Sequence, residues 1–469
     1  MPEGPIDLSV PRRVHVVGVG GAGMSAIAEV LAAMGHEVTG SDLKSSTGMD
    51  RLEALGITVT VGHAGSNLGR AEILTRSTAV PDRNPECRAA VEAGIPVLSR
   101  ADVLTAICAQ RSTIAVAGTH GKTTTASMLA LVLRQAGVRP SFIIGGDVNE
   151  IGTGAAWDSG DLMVVEADES DGTFVRLPRT AAVVTNVEPD HLDHHGGYGD
   201  LLAEFSRFVQ ETDGPVVVGV DDPDGARLVA EFTGAGTGTG AGVCVGVGTE
   251  RGADWGITEV EESWAGVRFA LLTPGGGRIP LSLPVPGLHN ARNAASAAVI
   301  AMLVGIAPDA IAEGLGNFGG VARRFEHRGT SGGVEFVDDY AHLPTEVSAT
   351  IAAASSGTWR RLVAVFQPHR YSRTEALWSD FGGSFEGADR VYITDVYPAG
   401  EAPRPGVSGQ LIVDAIQRSS PGIDVHYVPR REDLVEALAG ELEAGDLCLT
   451  MGAGDLTSVP DEVRGRLDA

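Results

Sequence analysis

Lysine is almost missing from this chain: Lys44 and Lys122 stand against 33 arginines. A sequence that uses arginine nearly everywhere keeps lysine where a planar guanidinium cannot replace a compact ammonium, as in a tight phosphate pocket. Cysteine is also scarce. Cys87, Cys108, Cys244 and Cys448 lie far apart with no C-x-x-C pair, which excludes a disulfide framework and reads as free thiols in a reducing compartment. No apolar run reaches the roughly 18 residues of a membrane span; the nearest, Ala294 to Ala307, is alanine-rich and predicts a buried helix. The first residues, MPEGPIDLSVPRR, do not resemble a secretory signal. Basic charge is short as well: 61 acids against 35 bases give −26, against general binding to nucleic acid or anionic membranes. The expectation is a soluble, cytoplasmic protein with no membrane insertion, and a monomer or weak homodimer.

What is plentiful is glycine, 63 in 469 residues, and strand–turn–helix alternation. That length predicts about three domains. Apolar runs at Val14–Val19, His36–Thr39, Ile57–Val61 and Ile73–Leu74 alternate with helical lengths, and the rhythm restarts at Thr113–Ala117 and again after Val321. Gly234–Gly248 reads as a loop or irregular hairpin, and Gly256–Leu283 as an antiparallel hairpin. The predicted fold is α/β in three successive domains. Residues 1–108 form a Rossmann-like domain, 109–321 a central P-loop-type domain with a mainly parallel sheet, and 322–469 a Rossmann-like C-terminal domain.

Two glycine turns carry the first chemistry. Gly18, Gly20, Gly21 and Gly23, with Ala22 and Met24, follow a strand and open a helix. Such a turn lets backbone N–H groups approach a diphosphate. Ser41 and Asp42 end the next strand, where a ribose-binding acid falls. The turn alone leaves NAD, FAD and UDP-linked sugars open. The second turn is sharper: Gly118-Thr119-His120-Gly121-Lys122-Thr123-Thr124 again lies between strand and helix, and it uses one of the two lysines. It is a shortened G-x-x-G-K-T loop, because Val116 stands where the usual P-loop has its first glycine. Its N–H groups can cradle ATP phosphates, Lys122 can reach the γ-phosphate and Thr123 can hold Mg²⁺, with Mn²⁺ as an alternative.

Further along, Glu166, Asp168, Glu169 and Asp171 emerge from a strand end, as does His191. His194 and His195 complete no four-ligand zinc set. Asn290 and Asn293 open the alanine-rich helix, suited either to an adenine edge or to plain capping. In the last third, Asp339, Tyr340 and His342 end one strand and His369, Arg370 and Arg373 follow another. Asp339 suits a ribose, Tyr340 and His342 a small amino-acid pocket, and the two arginines a carboxylate. Arg323 reads as a surface charge.

In order along the chain, VGVGGAGMS, AGTHGKTTT, VEADESD, TNVEPDHLDHH, GLHNARNAASA, GVARRFE, DDYAHLPTEV, QPHRYSRT and DVYPAGE resemble the Mur ligases, ATP-dependent amino-acid-adding enzymes of peptidoglycan synthesis. The resemblance implies a UDP-sugar domain, an ATPase domain and a closing domain, with UDP-N-acetylmuramate and L-alanine as partners. It implies metal-linked roles for Glu166 and His191, adenine contacts from His289, Asn290 and Asn293, and a phosphate contact from Arg324. Lys122, Glu166, His191, His342, His369, Arg370 and Arg373 become the expected catalytic set. Leu343 stands where the family commonly has a second histidine. A same-family ligase that joins a murein peptide to the sugar, an NAD-dependent oxidoreductase and a non-catalytic nucleotide-binding regulator are the alternatives.

Overall fold

The computed structural model describes residues 6–170, 172–190, 195–233, 243–250 and 252–468. It is an α/β protein built on three sheets, mostly parallel. The first holds β1 (Arg13–Val17), β2 (Glu37–Asp42), β3 (Thr58–Val61), β4 (Ile73–Arg76) and β5 (Val97–Ser99) in the order β3-β2-β1-β4-β5. Its paired strands are all parallel. Val14, Val16 and Val17 of β1 are buried, because helices cover both faces of such a sheet. The strand order reverses between β1 and β4, and the crevice at their carboxyl ends is where doubly wound sheets bind ligands.

The second sheet contains β6 (Ser112–Ala117), β7 (Ser141–Val148), β8 (Thr153–Ala156), β9 (Leu162–Glu166), β10 (Ala181–Val184), β11 (Val216–Gly219), β12 (Cys244–Gly248), β13 (Trp255–Ser263), β14 (Gly266–Leu272) and β15 (Arg278–Leu283). Their order is β15-β14-β13-β12-β11-β10-β6-β9-β7-β8. β12 corrects the loop or hairpin expected at Gly234–Gly248, of which 234–242 lie outside the described residues. Its glycines serve close approach: a Cβ on Gly246 would come within 2.8 Å of Val220, and one on Gly248 would overlap Asp221. The alanine-rich segment is the helix Leu288–Leu303, and Ala291, Ala294, Ala295, Ala297, Ala298 and Ala301 are fully buried.

The third sheet holds β16 (Glu326–Ser331), β17 (Val334–Asp339), β18 (Leu362–Phe366), β19 (Arg390–Ile393), β20 (Asp424–Tyr427) and β21 (Leu447–Met451), ordered β16-β17-β21-β18-β19-β20. Only β16 runs antiparallel to its neighbour. Its sequence, EHRGTS, has no apolar residue, so periodicity could not reveal it.

The chain divides into two compact units, Met1–Thr258 with Ala270–Leu281 and Arg292–Asn317, and Glu259–Phe269 with Ser282–Ala291 and Phe318–Ala469. Within the first unit, the helix Ala22–Ala33 packs on β7 and β8. Arg51 pairs there with Asp147 at 3.3 Å and Glu29 at 3.7 Å. The four cysteines are free. Among the described residues no helix is long and apolar enough to cross a membrane.

Candidate active site

The phosphate loop joins β6 to the helix Lys122–Gln135. Gly118 (φ +124°) and Gly121 (φ +78°) occupy backbone conformations that side chains rarely adopt, and a Cβ on either would overlap Thr185 or Asn293 respectively. The loop is braced from β10's carboxyl end. Asn186 accepts from the His120 N–H at 2.9 Å and donates to the His120 carbonyl at 3.0 Å, and the Thr119 hydroxyl donates to the Glu188 carbonyl at 3.1 Å. The His120 ring lies 3.2 Å from Glu188. Asn293 sits against Gly121, and Thr123 and Thr124 are buried at the helix start. Asn186 and Thr185 were not singled out in the sequence, since nothing local ties them to a loop nearly 70 residues earlier.

Lys122 turns back over its loop, donating to the carbonyls of Gly118 (2.7 Å) and Thr119 (3.2 Å). It also pairs with Glu169 at 2.8 Å. Burial opposes the ammonium charge, yet Glu169, Asp168 and Glu166 together hold its pKa above the ordinary value. Burial, against the pull of Lys122 and with the push of Asp168, raises the Glu169 carboxyl above its ordinary value. Glu169 was legible as part of an acidic strand-end run but had no assigned role. The buried His195 ring lies 2.7 Å from the Glu169 carbonyl, which places it in structural support.

Glu166 ends β9 beside the loop. It accepts from the Thr123 hydroxyl at 3.0 Å and from the Gly145 N–H at 2.6 Å. These are adjacent hard oxygens of the kind Mg²⁺ takes, an ion that needs few protein ligands, so the pair fits a magnesium site. Among the described residues no group of three His, Cys, Asp or Glu side chains is arranged for a metal. His191 lies outside the described residues.

At the first glycine turn, Gly18 has φ +81° and its N–H, with that of Val19, donates to the Ser41 carbonyl at 2.8 and 3.1 Å. Asp42 accepts from the Gly20 N–H at 2.9 Å. The Ser41 hydroxyl is buried and donates to Glu86 at 2.6 Å, so Ser41 serves the turn from behind. Gly21, Ala22, Gly23 and Met24 run into the helix Ala22–Ala33. A Cβ on Gly23 would lie 3.4 Å from the Arg100 guanidinium, which adds an unforeseen cation beside this turn.

The second unit gathers the remaining residues. Arg323 and Phe325 have φ of +61° and +50°, strained values for such side chains. Arg323 corrects the surface-charge reading: it donates to the Gly452 carbonyl at 2.8 Å and pairs with buried Asp338 at 3.4 Å. The guanidiniums of Arg323 and Arg324 lie over the Tyr340 ring at 4.9 and 5.0 Å. Asp339 is buried, and its two oxygens accept from the Phe325 and Ala341 N–H groups, both at 2.7 Å. Burial raises its pKa to about 6. Asp339 therefore braces this turn with both oxygens, where the sequence suggested a ribose. Asn290 donates to the Pro286 carbonyl at 2.7 Å, a structural bond at the helix start, and His289 lies against Gly287.

Tyr340, His342, His369 and Tyr397 form a chain of ring contacts with centroids 5.5, 5.9 and 5.8 Å apart. His342 Nδ1 lies 3.3 Å from Glu346. His369 Nδ1 lies 3.1 Å from the Arg373 guanidinium. A guanidinium only donates, so Nδ1 accepts and the neutral ring carries its proton on Nε2. Burial, then His342, Arg373 and Arg370, depress the His369 pKa to about 3. This ring is a neutral N–H donor at physiological pH. Arg370 has φ +67°, which a backbone bond to the Tyr397 carbonyl at 2.9 Å accompanies. Tyr397 belongs to the DVYPAGE run but received no role from the sequence.

Three sheets with strand-end glycine turns, a largely buried loop lysine, paired hard oxygens and an arginine–histidine cluster define a nucleotide-dependent α/β enzyme. The chain belongs to the Mur ligase family: it matches the Mur ligase family catalytic domain over residues 13–112, the middle domain over 116–301 and the glutamate ligase domain over 323–454. It is 45% identical over 467 residues to UDP-N-acetylmuramate–L-alanine ligase of Rubrobacter xylanophilus, covering 97% of this chain and 100% of that one. The ligase of the same name from Kineococcus radiotolerans is 46% identical, with 96% and 95% covered. Among solved structures, the UDP-N-acetylmuramate–alanine ligase of Thermotoga maritima has TM-score 0.81 and 27% identity, covering 97% of this chain and 99% of that one. A murein peptide ligase from Psychrobacter arcticus shares the fold, with TM-score 0.69, 22% identity and coverage of 97% and 99%.

Proposed function

We propose that this protein joins L-alanine to the lactyl carboxylate of UDP-N-acetylmuramate, converting ATP to ADP and phosphate, in peptidoglycan precursor synthesis. The observation that carries the reading is end-to-end likeness to relatives of that name at 45% identity. Lys122, largely buried and folded back over its phosphate loop, adds a physical reason.

In this reading a carboxylate oxygen attacks the γ-phosphorus, ADP leaves and an acyl phosphate forms. The alanine nitrogen then attacks the acyl carbon, phosphate leaves and the nitrogen loses a proton. Lys122 exchanges Glu169 for the γ-phosphate and neutralises its charge, while the N–H groups of residues 118–122 orient the chain of phosphates. Thr123 and Glu166 would hold Mg²⁺, with His191 as a further ligand. When bound, that ion supplies charge neutralisation at the phosphates. The turn Gly18–Met24 takes the UDP-sugar diphosphate through its backbone N–H groups, and Asp42 takes the ribose. Arg370 and Arg373 bind a carboxylate of the amino acid, and His369 offers its Nε2–H beside them. His342 and Tyr340 wall the same pocket, and Arg324, His289, Asn290 and Asn293 belong to the nucleotide side. ATP and a nucleotide sugar as substrates fit a cytoplasmic enzyme.

The test is ADP release with each substrate omitted in turn. Release that requires both UDP-N-acetylmuramate and L-alanine supports the proposal. Release supported by a murein tripeptide and not by alanine assigns the recycling reaction instead.

A further inference from the structure

A buried carboxylate lies outside the groups given a role above. Glu86, in the first turn of the helix Pro85–Glu92, has no exposed surface. One oxygen accepts from the Ser41 hydroxyl at 2.6 Å and lies 3.2 Å from His63 Nδ1. The other accepts from the Ala64 N–H at 3.2 Å and the Asn67 amide at 2.5 Å. His15, on β1, comes within 3.7 Å and faces Thr39 of β2 with its other nitrogen at 2.8 Å. Burial works against the Glu86 charge, but His15, Ser41, Asn67 and Ala64 bring its pKa down to about 2.

These partners are not scattered. Ser41 lies at the carboxyl end of β2, and His63 and Ala64 follow the end of β3. The Ser41 carbonyl in turn receives the Gly18 and Val19 N–H groups, and the adjacent Asp42 receives that of Gly20. One carboxylate thus ties two strand ends together and, through Ser41, reaches the backbone of the first glycine turn. For stability alone, a buried charge is a poor choice compared with well-packed apolar side chains. A fully hydrogen-bonded charge does fix geometry.

We infer that Glu86 is a positioning residue for the nucleotide-sugar substrate: without touching the ligand, it sets the shape of the turn Gly18–Gly23. The inference rests on the reading above that this turn takes the UDP-sugar.

The experiment compares the full-length wild type with Glu86→Gln and Asn67→Ala, measuring KM for UDP-N-acetylmuramate and for ATP, and UDP-N-acetylmuramate binding by calorimetry. Glu86→Gln is expected to raise the sugar-nucleotide KM and Kd about tenfold, the scale of one lost charge-assisted hydrogen bond, with the ATP KM and kcat within about twofold of wild type. Asn67→Ala, which leaves the carboxylate in place, is expected to shift the same constants in the same direction by less. An unchanged sugar-nucleotide KM in Glu86→Gln would overturn the inference, and so would equal rises for both substrates. If Glu86→Gln does not fold, Asn67→Ala decides by the same split. A wild type that does not bind the sugar nucleotide would instead overturn the substrate reading itself.

Discussion

Lys122 and Glu169 face each other at 2.8 Å, both nearly buried, with the lysine also holding two carbonyls of its own loop. The carboxylate occupies the lysine as a phosphate would. Removing Lys122 as alanine is expected to reduce ligation about 10³-fold, the upper scale for one preorganised electrostatic donor, in an ADP-release assay. Near-normal turnover would refute its role.

The same pair predicts an opposite behaviour for Glu169→Gln. Lys122 would then be a buried charge without its main counter-ion, a change that costs about 3–5 kcal/mol when a buried pair is broken. The variant should melt lower than wild type without nucleotide and recover much of the difference when ATP is added. A melting point insensitive to the substitution would show that the pair carries no such energy.

Gly118 tests the loop's backbone. Alanine there combines φ +124° with overlap of the Thr185 hydroxyl. The expected outcome is a loss of about 1–3 kcal/mol in stability together with loss of ATP binding by calorimetry. The same substitution at Gly137, which has φ +74° but nothing within 4 Å of an added Cβ, should spare ATP binding.

His369 gives the pH dependence. Its folded pKa is depressed from 6.5 to about 3, so between those values the unfolded chain binds a proton that the folded chain refuses. Its contribution to stability is present above pH 6.5 and is lost progressively as pH falls toward 3. Denaturant midpoints should therefore drop between pH 7.5 and pH 5, and His369→Gln should flatten that drop. An identical slope in the variant would contradict the depressed value.

Arg373→Lys keeps a positive charge but loses the planar fork and the hydrogen bond to His369. An increase of about tenfold in the alanine KM, or about 1.4 kcal/mol, is expected with the ATP KM unchanged.

The strands on which these groups stand were largely visible in the sequence, because Val14–Val17, Ile114–Ala117 and Leu362–Phe366 are buried on both faces and so read as apolar runs. β16 was not, since an exposed edge strand needs no apolar residue, and β12 was hidden by glycines that the packing of Val220 and Asp221 requires. At the site, glycine turns and strand-end acids announce themselves through local spacing. Partners such as Asn186 on the phosphate loop, Glu169 on Lys122 and Tyr397 on His369 depend on contacts between distant segments. Asp339 and Ser41 show the converse: both stand at the strand ends where ligands bind, yet their polar groups face inward to hold a turn.

The most direct measurement follows labelled L-alanine with the purified full-length protein, ATP, Mg²⁺ and UDP-N-acetylmuramate, quantifying ADP and the labelled product together. One ADP per labelled UDP-N-acetylmuramoyl-L-alanine, with neither formed when any substrate is left out, is the result predicted. Absence of ADP with all substrates present, or ADP released without transfer of alanine to the sugar nucleotide, would contradict it.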